Sequence, residues 1–249
     1  MSLAQALGIL AAGGAAGAIN VVVGSGTLIT FPVLLAFGYA PVVANVSNTI
    51  GLVPGSVAGA VGYRRELRGQ GRRIAKLAAA SGLGAVTGAI LLLTLPPSAF
   101  KAIVPVFIVI ALVLIVVQPR LTAMLRSRGP DAVEHLGPVA LLAVFATGVY
   151  GGYFGAAQGI LLLSILGLAL HDTLQRINAT KNVLAGLANL LAGVIFAAVA
   201  HVSWPAVGLI AAGSVIGGTL GGRYGRRLPP AALRAIIVAV GIVAIVRLL

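Results

Sequence analysis

Six apolar stretches recur along the chain, at about 41–62, 74–94, 99–117, 178–200, 206–222 and 230–249. Each matches the roughly 20 residues a helix needs to cross about 30 Å of hydrocarbon. Inside lipid only structures that satisfy their own backbone survive, and for spans of this length that means α-helices. The sequence therefore predicts an all-α integral membrane protein, with the lipid bilayer as its solvent. Only 8% of the residues are charged, against about 25% in soluble domains, so a water-facing surface could not be covered. The 34 glycines fit a tightly packed bundle, because small residues let membrane helices approach closely. The lack of cysteine excludes thiol chemistry and Cys-ligated metals.

The second constraint is an internal duplication. The run Leu95-Pro96-Pro97-Ser98-Ala99-Phe100-Lys101-Ala102-Ile103 returns as Leu228-Pro229-Pro230-Ala231-Ala232-Leu233-Arg234-Ala235-Ile236, 133 residues later. At the same offset Ser81, Gly84 and Gly88 fall on Ser214, Gly217 and Gly221, and Asn45-Val46-Ser47 falls on Asn178-Ala179-Thr180. Further upstream the offset slips by two, pairing Gly17 with Gly148 and Gly24 with Gly155. The organisation read from this is a first repeat over 1–118, a cytoplasmic connector over 119–136 and a second repeat over 137–249. Each repeat opens with a Gly-interrupted segment, at about 3–37 and 137–170, followed by three spans. Pro41, Pro97, Pro205 and Pro230 stand where a first helical turn accepts proline.

The net charge of +13 is clustered in loops rather than spread over a nucleic-acid face, so nucleic acid is not an expected partner. The clusters are Arg64, Arg65, Arg68, Arg72, Arg73 and Lys76; Arg120, Arg126 and Arg128; and Arg223, Arg226 and Arg227. Basic residues in short loops mark the cytoplasmic side. The two halves differ in which loop is basic: Ala200 to Trp204 lacks the charge of its first-half counterpart. Placing every basic loop in the cytoplasm requires two inverted-topology repeats. Each opening segment must then cross an even number of times, as a Gly-broken or re-entrant helix hairpin followed by three transmembrane helices. The chain's opening has no basic region ahead of its first apolar stretch, which speaks against a cleaved signal peptide.

Two sets of polar residues inside this apolar frame are the candidate substrate-binding residues. The first set lies at the breaks: Gly24, Ser25, Gly26 and Thr27 in one half, Gly155, Gln158 and Gly159 in the other, with Asn20 beside the first. Broken helices in inverted-repeat carriers aim backbone donors at a central site, and helix N-termini favour anions. The bland alternative is that the glycines serve close packing alone. The second set is Asn45, Ser47, Asn48 and Thr49, with Asn178, Thr180, Lys181 and Asn182 opposite. Polar groups are costly in hydrocarbon and normally face an interior cavity. Lys181 reads as a counter-charge for an anion, against a lysine snorkelling to the headgroups. The four acidic residues, Glu66, Asp131, Glu134 and Asp172, fall in loops or at membrane edges, which argues against a cation pathway. His171 and Asp172 read as a solvated interfacial pair, with a part in proton coupling as the alternative. No catalytic pair suited to an intramembrane protease is present, and no cofactor motif, so the chain does not read as an enzyme.

The glycine break leading into Thr30-Phe31-Pro32-Val33-Leu34-Leu35, then Gly38 and the Asn45 to Thr49 cluster, resembles the sulfite exporter TauE/SafE family of permeases. The Gly155 region followed by Asn178-Ala179-Thr180-Lys181 is similar to that family's second repeat. The resemblance covers essentially the whole chain. It implies a permease of the bacterial inner membrane that moves a small anion, such as a sulfur-containing oxyanion, a sulfonate or a short carboxylate. Together these readings describe a secondary transporter working by alternating access. A non-transporting scaffold or accessory subunit and an anion channel are the alternatives. The particular anion, the direction of movement, proton or sodium coupling and homo-oligomerisation stay open at this level.

Overall fold

The computed structural model describes residues 1–126, 136–224, 235, 237–240 and 242. Among them nine helices follow one another: α1 (Leu3–Val22), α2 (Thr27–Ala36), α3 (Pro41–Gly62), α4 (Gly71–Thr94), α5 (Pro97–Arg126), α6 (Pro138–Tyr153), α7 (Gln158–Ala169), α8 (Leu174–Val199) and α9 (Trp204–Tyr224). The expected span over 230–249, with Pro230, Arg226 and Arg227, lies outside the described residues apart from a few helical positions. Five of the nine, α1, α4, α5, α8 and α9, are long and apolar enough to cross a membrane. α3 has comparable length but carries Asn45, Ser47, Asn48 and Thr49 in its first half. The outer surface is apolar, with Leu83, Val106, Val113, Leu142 and Ile216 each more than half exposed. Such a belt suits lipid and no aqueous surface.

Both opening segments break as the sequence requires, and more tightly. The first stops at Val22, after a β-branched run that is a poor helix former, and restarts at Thr27. The second stops at Tyr153 and restarts at Gln158. Gly24 and Gly155, paired by the repeat, both take left-handed backbone angles, φ +89° and +75°. Thr30, Phe31 and Pro32, into which the first break leads, are helical, with Pro32 inside α2. Pro41 and Pro97 open their helices as expected, and Pro205 follows directly after Trp204 in α9. α5 continues through Pro119 to Arg126, so the first part of the expected connector is helix.

The packing is reciprocal between the halves. α1 lies chiefly against α9, and α6 against α4. A Cβ added at Gly17 would sit 2.4 Å from the Ser214 carbonyl oxygen, and one at Gly148 would sit 2.4 Å from that of Ser81. The repeat equates these two contacts. Likewise Gly217 meets the carbonyl of Gly14 and Gly84 that of Phe145. The partners ascend together along α1 and α9, and along α6 and α4, so each pair is parallel. α3 and α8 cross in the opposite sense: Ser56 lies on Gly186 and Ile50 on Gly193. The first hairpin also returns to its start, because Phe37, just after α2, packs on Gly8 of α1.

These backbone-to-backbone seams leave no room for a methyl group. Gly217→Ala should therefore lower stability by about 2 kcal/mol despite alanine's better helix propensity. Gly208 has nothing within 4 Å of its missing Cβ, so Gly208→Ala should be neutral or slightly stabilising. Thermal unfolding of the two variants in detergent checks the contrast.

Candidate functional site

The two breaks touch. The Gly159 N–H donates to the Gly24 carbonyl at 3.0 Å, and a Cβ on either glycine would lie 2.5 Å from the other's Cα. Only glycine allows this approach, which is the packing reading of these residues. Around the junction Ser25 is 1% exposed, Gln158 3% and Lys181 1%. Ala157, which caps α7, holds φ +59°, an angle a non-glycine residue rarely adopts and one that clusters at functional sites. Phe31 of α2, Phe154 of the second break and Phe100 and Phe107 of α5 form an aromatic cluster beside the junction. The Phe31 and Phe154 rings meet edge-on at 5.1 Å.

Breaking a helix in an apolar interior strands its last carbonyls and first amides. Here each half supplies the missing partners of the other. Lys181 reaches from α8 to the carbonyls of Asn20 (3.2 Å) and Val21 (3.3 Å) at the end of α1. Asn178 and Asn182 donate to the Val21 carbonyl as well, both at 3.4 Å. In the other direction Asn45 of α3 donates to the Tyr153 carbonyl at the end of α6, at 2.9 Å. Asn45 and Asn178 are the residues the repeat equates. A lysine at a helix C-terminus also suits the negative end of the helix dipole. Lys181 is thus buried against backbone, not snorkelling to a headgroup.

The starting turn of α2 is dressed by side chains. Asn48 donates to Thr27 Oγ1 at 3.1 Å and accepts from Thr30 Oγ1. Asn20 Oδ1 accepts from the Gly26 N–H at 3.5 Å, and its amide donates to Ser56 Oγ at 3.3 Å. The structure therefore brings Asn20, Gly24, Ser25, Gly26, Thr27, Asn48, Gln158, Gly159, Asn178, Lys181 and Asn182 to the junction and its rim. Gly155 forms the turn of the second break, with Asn45 beside it. Ser47 and Thr49 are used elsewhere: Ser47 Oγ accepts from the Ser203 N–H at 3.0 Å, and Thr49 Oγ1 donates to its own helix at Asn45. Thr180 faces away from the junction and donates to Gln70 Oε1 at 3.0 Å.

Several buried polar atoms in this set have no protein partner. They are Ser25 Oγ, Gln158 Nε2, Asn45 Oδ1 and Asn178 Oδ1. Gly151 makes the room for the Gln158 amide, which would lie 2.3 Å from a Cβ there. Lysine has three N–H donors, and two of those on Lys181 are taken by carbonyls. Among the described residues no cluster of His, Cys, Asp or Glu could hold a metal.

Residues that composition alone did not single out also gather on the side of the Arg64 to Lys76 loop. Asp172, expected to be a solvated partner of His171, is instead clamped by Arg73 Nη2 at 2.5 Å and Arg176 Nε at 2.8 Å. Its side chain is only 13% exposed. Gln70 belongs to this cluster through Arg73, and Thr30 to the network at the start of α2, and nothing in their sequence spacing distinguished them.

The sequence comparisons agree with this architecture. The profile described as sulfite exporter TauE/SafE matches residues 9–248. The chain belongs to the sulfite exporter TauE/SafE family. It is 30% identical over 237 residues to the probable membrane transporter protein ORF9 of a Sinorhizobium species, covering 94% of this chain and 88% of that one. It is 27% identical over 226 residues to the probable membrane transporter protein YfcA of Escherichia coli, covering 86% and 76% of the two chains. A probable membrane transporter protein of Haemophilus influenzae is 25% identical over 205 residues. No solved structure matches. A multi-pass membrane protein of a transporter family is thereby shown; family membership names no substrate for this chain.

Burial would raise the Asp172 carboxyl, but the hydrogen bonds from Arg73 and Arg176 outweigh it and hold the group below its usual 3.8. A folded-state value below the unfolded one gives stability that is present above the unfolded value. That stability is lost as the pH falls through the folded value. Asp172→Asn should cost on the order of 2 kcal/mol at neutral pH, and the gap to wild type should close in acid; melting curves at several pH values check both.

Proposed function

We propose that the chain is a secondary transporter of a small anion, carried through the junction of the two helix breaks by alternating access between inverted repeats. The observation that carries this is the pair of buried donors left without protein partners, Ser25 Oγ on one break and Gln158 Nε2 on the other. A scaffold would use such atoms in interhelical hydrogen bonds. An anion between the breaks would accept from both, and from the third Nζ–H of Lys181. The positive ends of α2 and α7 open on the same place. Asn45 Oδ1 and Asn178 Oδ1, which are buried without a partner as well, are acceptors, and suit the hydroxyl of a singly protonated oxyanion. Gly24, Gly26, Thr27, Gly155 and Gly159 shape the cradle, with Asn20, Asn48 and Asn182 holding its edges. Ser47, Thr49 and Thr180 act one step out, through α3 and Gln70.

Family membership favours a sulfur-containing oxyanion, a sulfonate or a short carboxylate, at the bacterial inner membrane with the basic loops cytoplasmic. Inverted topology is supported by the antiparallel crossing of α3 and α8, which the repeat equates, and by the returning first hairpin. The buried junction corresponds to an occluded arrangement, in which neither side has access.

Three variants test the site in proteoliposomes loaded for sulfite exchange. Gln158→Leu should cut exchange about 100-fold, since a buried polar partner is lost and not replaced. Lys181→Met should do as much, while Lys181→Arg keeps the charge and should retain part of the activity. Unchanged exchange in Gln158→Leu and Lys181→Met would remove the junction from the transport path. Topology is testable because the chain has no native cysteine: a single cysteine at Arg68 and one at Ser203 should label from opposite sides of the membrane.

A further inference from the structure

A cavity of about 390 Å³ opens beside the start of α4 and α8, lined by Gly69, Gln70, Arg72, Arg73, Lys76, Leu136 and Arg176. Four of the seven are cations and none is an acid. Asp172 ties down Arg73 and Arg176. Arg72 and Lys76 are exposed and have no ion-pair partner among the described residues. Like charges gathered around a hollow repel one another, and an anion in it relieves that cost. The volume is many times the roughly 30 Å³ share of one water, enough for a hydrated oxyanion.

The floor of this cavity is Gln70, 2% exposed. Its Nε2 donates to the Glu66 carbonyl at 2.6 Å, while its Oε1 accepts from Arg73 and from Thr180 Oγ1. Thr180 precedes Lys181, whose Nζ sits on the carbonyls at the end of α1. Thr180 faces away from the junction while Lys181 turns to the end of α1, so α8 lies between the basic cavity and the breaks.

We propose that this cavity is a second binding site for a small oxyanion, an encounter site distinct from the break junction and parted from it by α8. The assignment rests on the anion-carrier reading for its biological sense, but not for its chemistry. Arginine and lysine together hold a compact oxyanion through charge-assisted hydrogen bonds. Placed where the basic loops face, the site would collect the anion on that side.

Sulfate serves as the probe, titrated calorimetrically into the purified full chain carrying Gln158→Leu to silence the junction, with Ser25→Ala as a second background. In both, sulfate should still bind. Adding Arg72→Gln and Lys76→Gln should weaken it about tenfold or more, whereas Arg72→Lys with Lys76→Arg should preserve it. Sulfate binding that the double glutamine variant leaves unchanged, or that is absent from both backgrounds, would overturn the proposal. Nanodiscs of phosphatidylcholine, with or without phosphatidylglycerol, separate the sources of the anion. Equal sulfate affinity in both supports a free oxyanion. Loss of sulfate binding when phosphatidylglycerol is present would assign the cavity to a lipid headgroup phosphate and overturn the encounter role. If the junction reading alone is wrong, Gln158→Leu will transport normally while the cavity still binds sulfate.

Discussion

A helix cut inside a lipid-facing bundle leaves backbone groups that water cannot reach, and the rest of this structure follows from how they are paired. Each unsatisfied group in such surroundings costs several kcal/mol, so a break survives only where a partner is supplied. The partners come from the opposite half: Lys181, Asn178 and Asn182 finish α1, and Asn45 finishes α6. Neither repeat is complete without the other. The reciprocal glycine seams, α1 on α9 and α6 on α4, are what bring those donors within reach.

This division of labour explains why the two halves have diverged in their polar residues while keeping the geometry. The asparagines at 45 and 178 keep a common task across the duplication. Asn48 and Lys181, equated by the same offset, have parted. Asn48 binds the side chains that open α2, and Lys181 brings a charge to the carbonyls that close α1. The charge thus comes from the second half alone, whereas the aromatic cluster of Phe31, Phe100, Phe107 and Phe154 draws on both halves.

The helices were legible because lipid leaves few choices: the expected 41–62 span is α3 to the residue, and 74–94 differs from α4 only at its start. The breaks were legible from glycine, but their length was not. Local composition could not show that Pro32 is accommodated in a helix whose neighbouring turns are packed by α3 and α5. Asn45, Asn178 and Lys181 stood out as polar residues in apolar runs. Their partners did not, because a backbone carbonyl leaves no mark in a sequence. Arg72, Lys76 and Arg176 were visible only as loop charges that orient the chain; that they enclose a cavity depends on folding α4 beside α8. Asp172 was misread as solvated for the same reason, since its arginines lie 99 residues away and four residues on.

The claim at the centre of this account is that an anion rests where the two breaks meet. A structure of the protein determined with selenite, whose selenium is located by anomalous scattering, addresses it most directly. The account predicts a selenium peak between the breaks, with its oxygens in hydrogen-bond contact with Ser25 Oγ and Gln158 Nε2. A saturated, transport-competent sample with the anion elsewhere and the Gly24–Gly159 contact unoccupied on both flanks would contradict it.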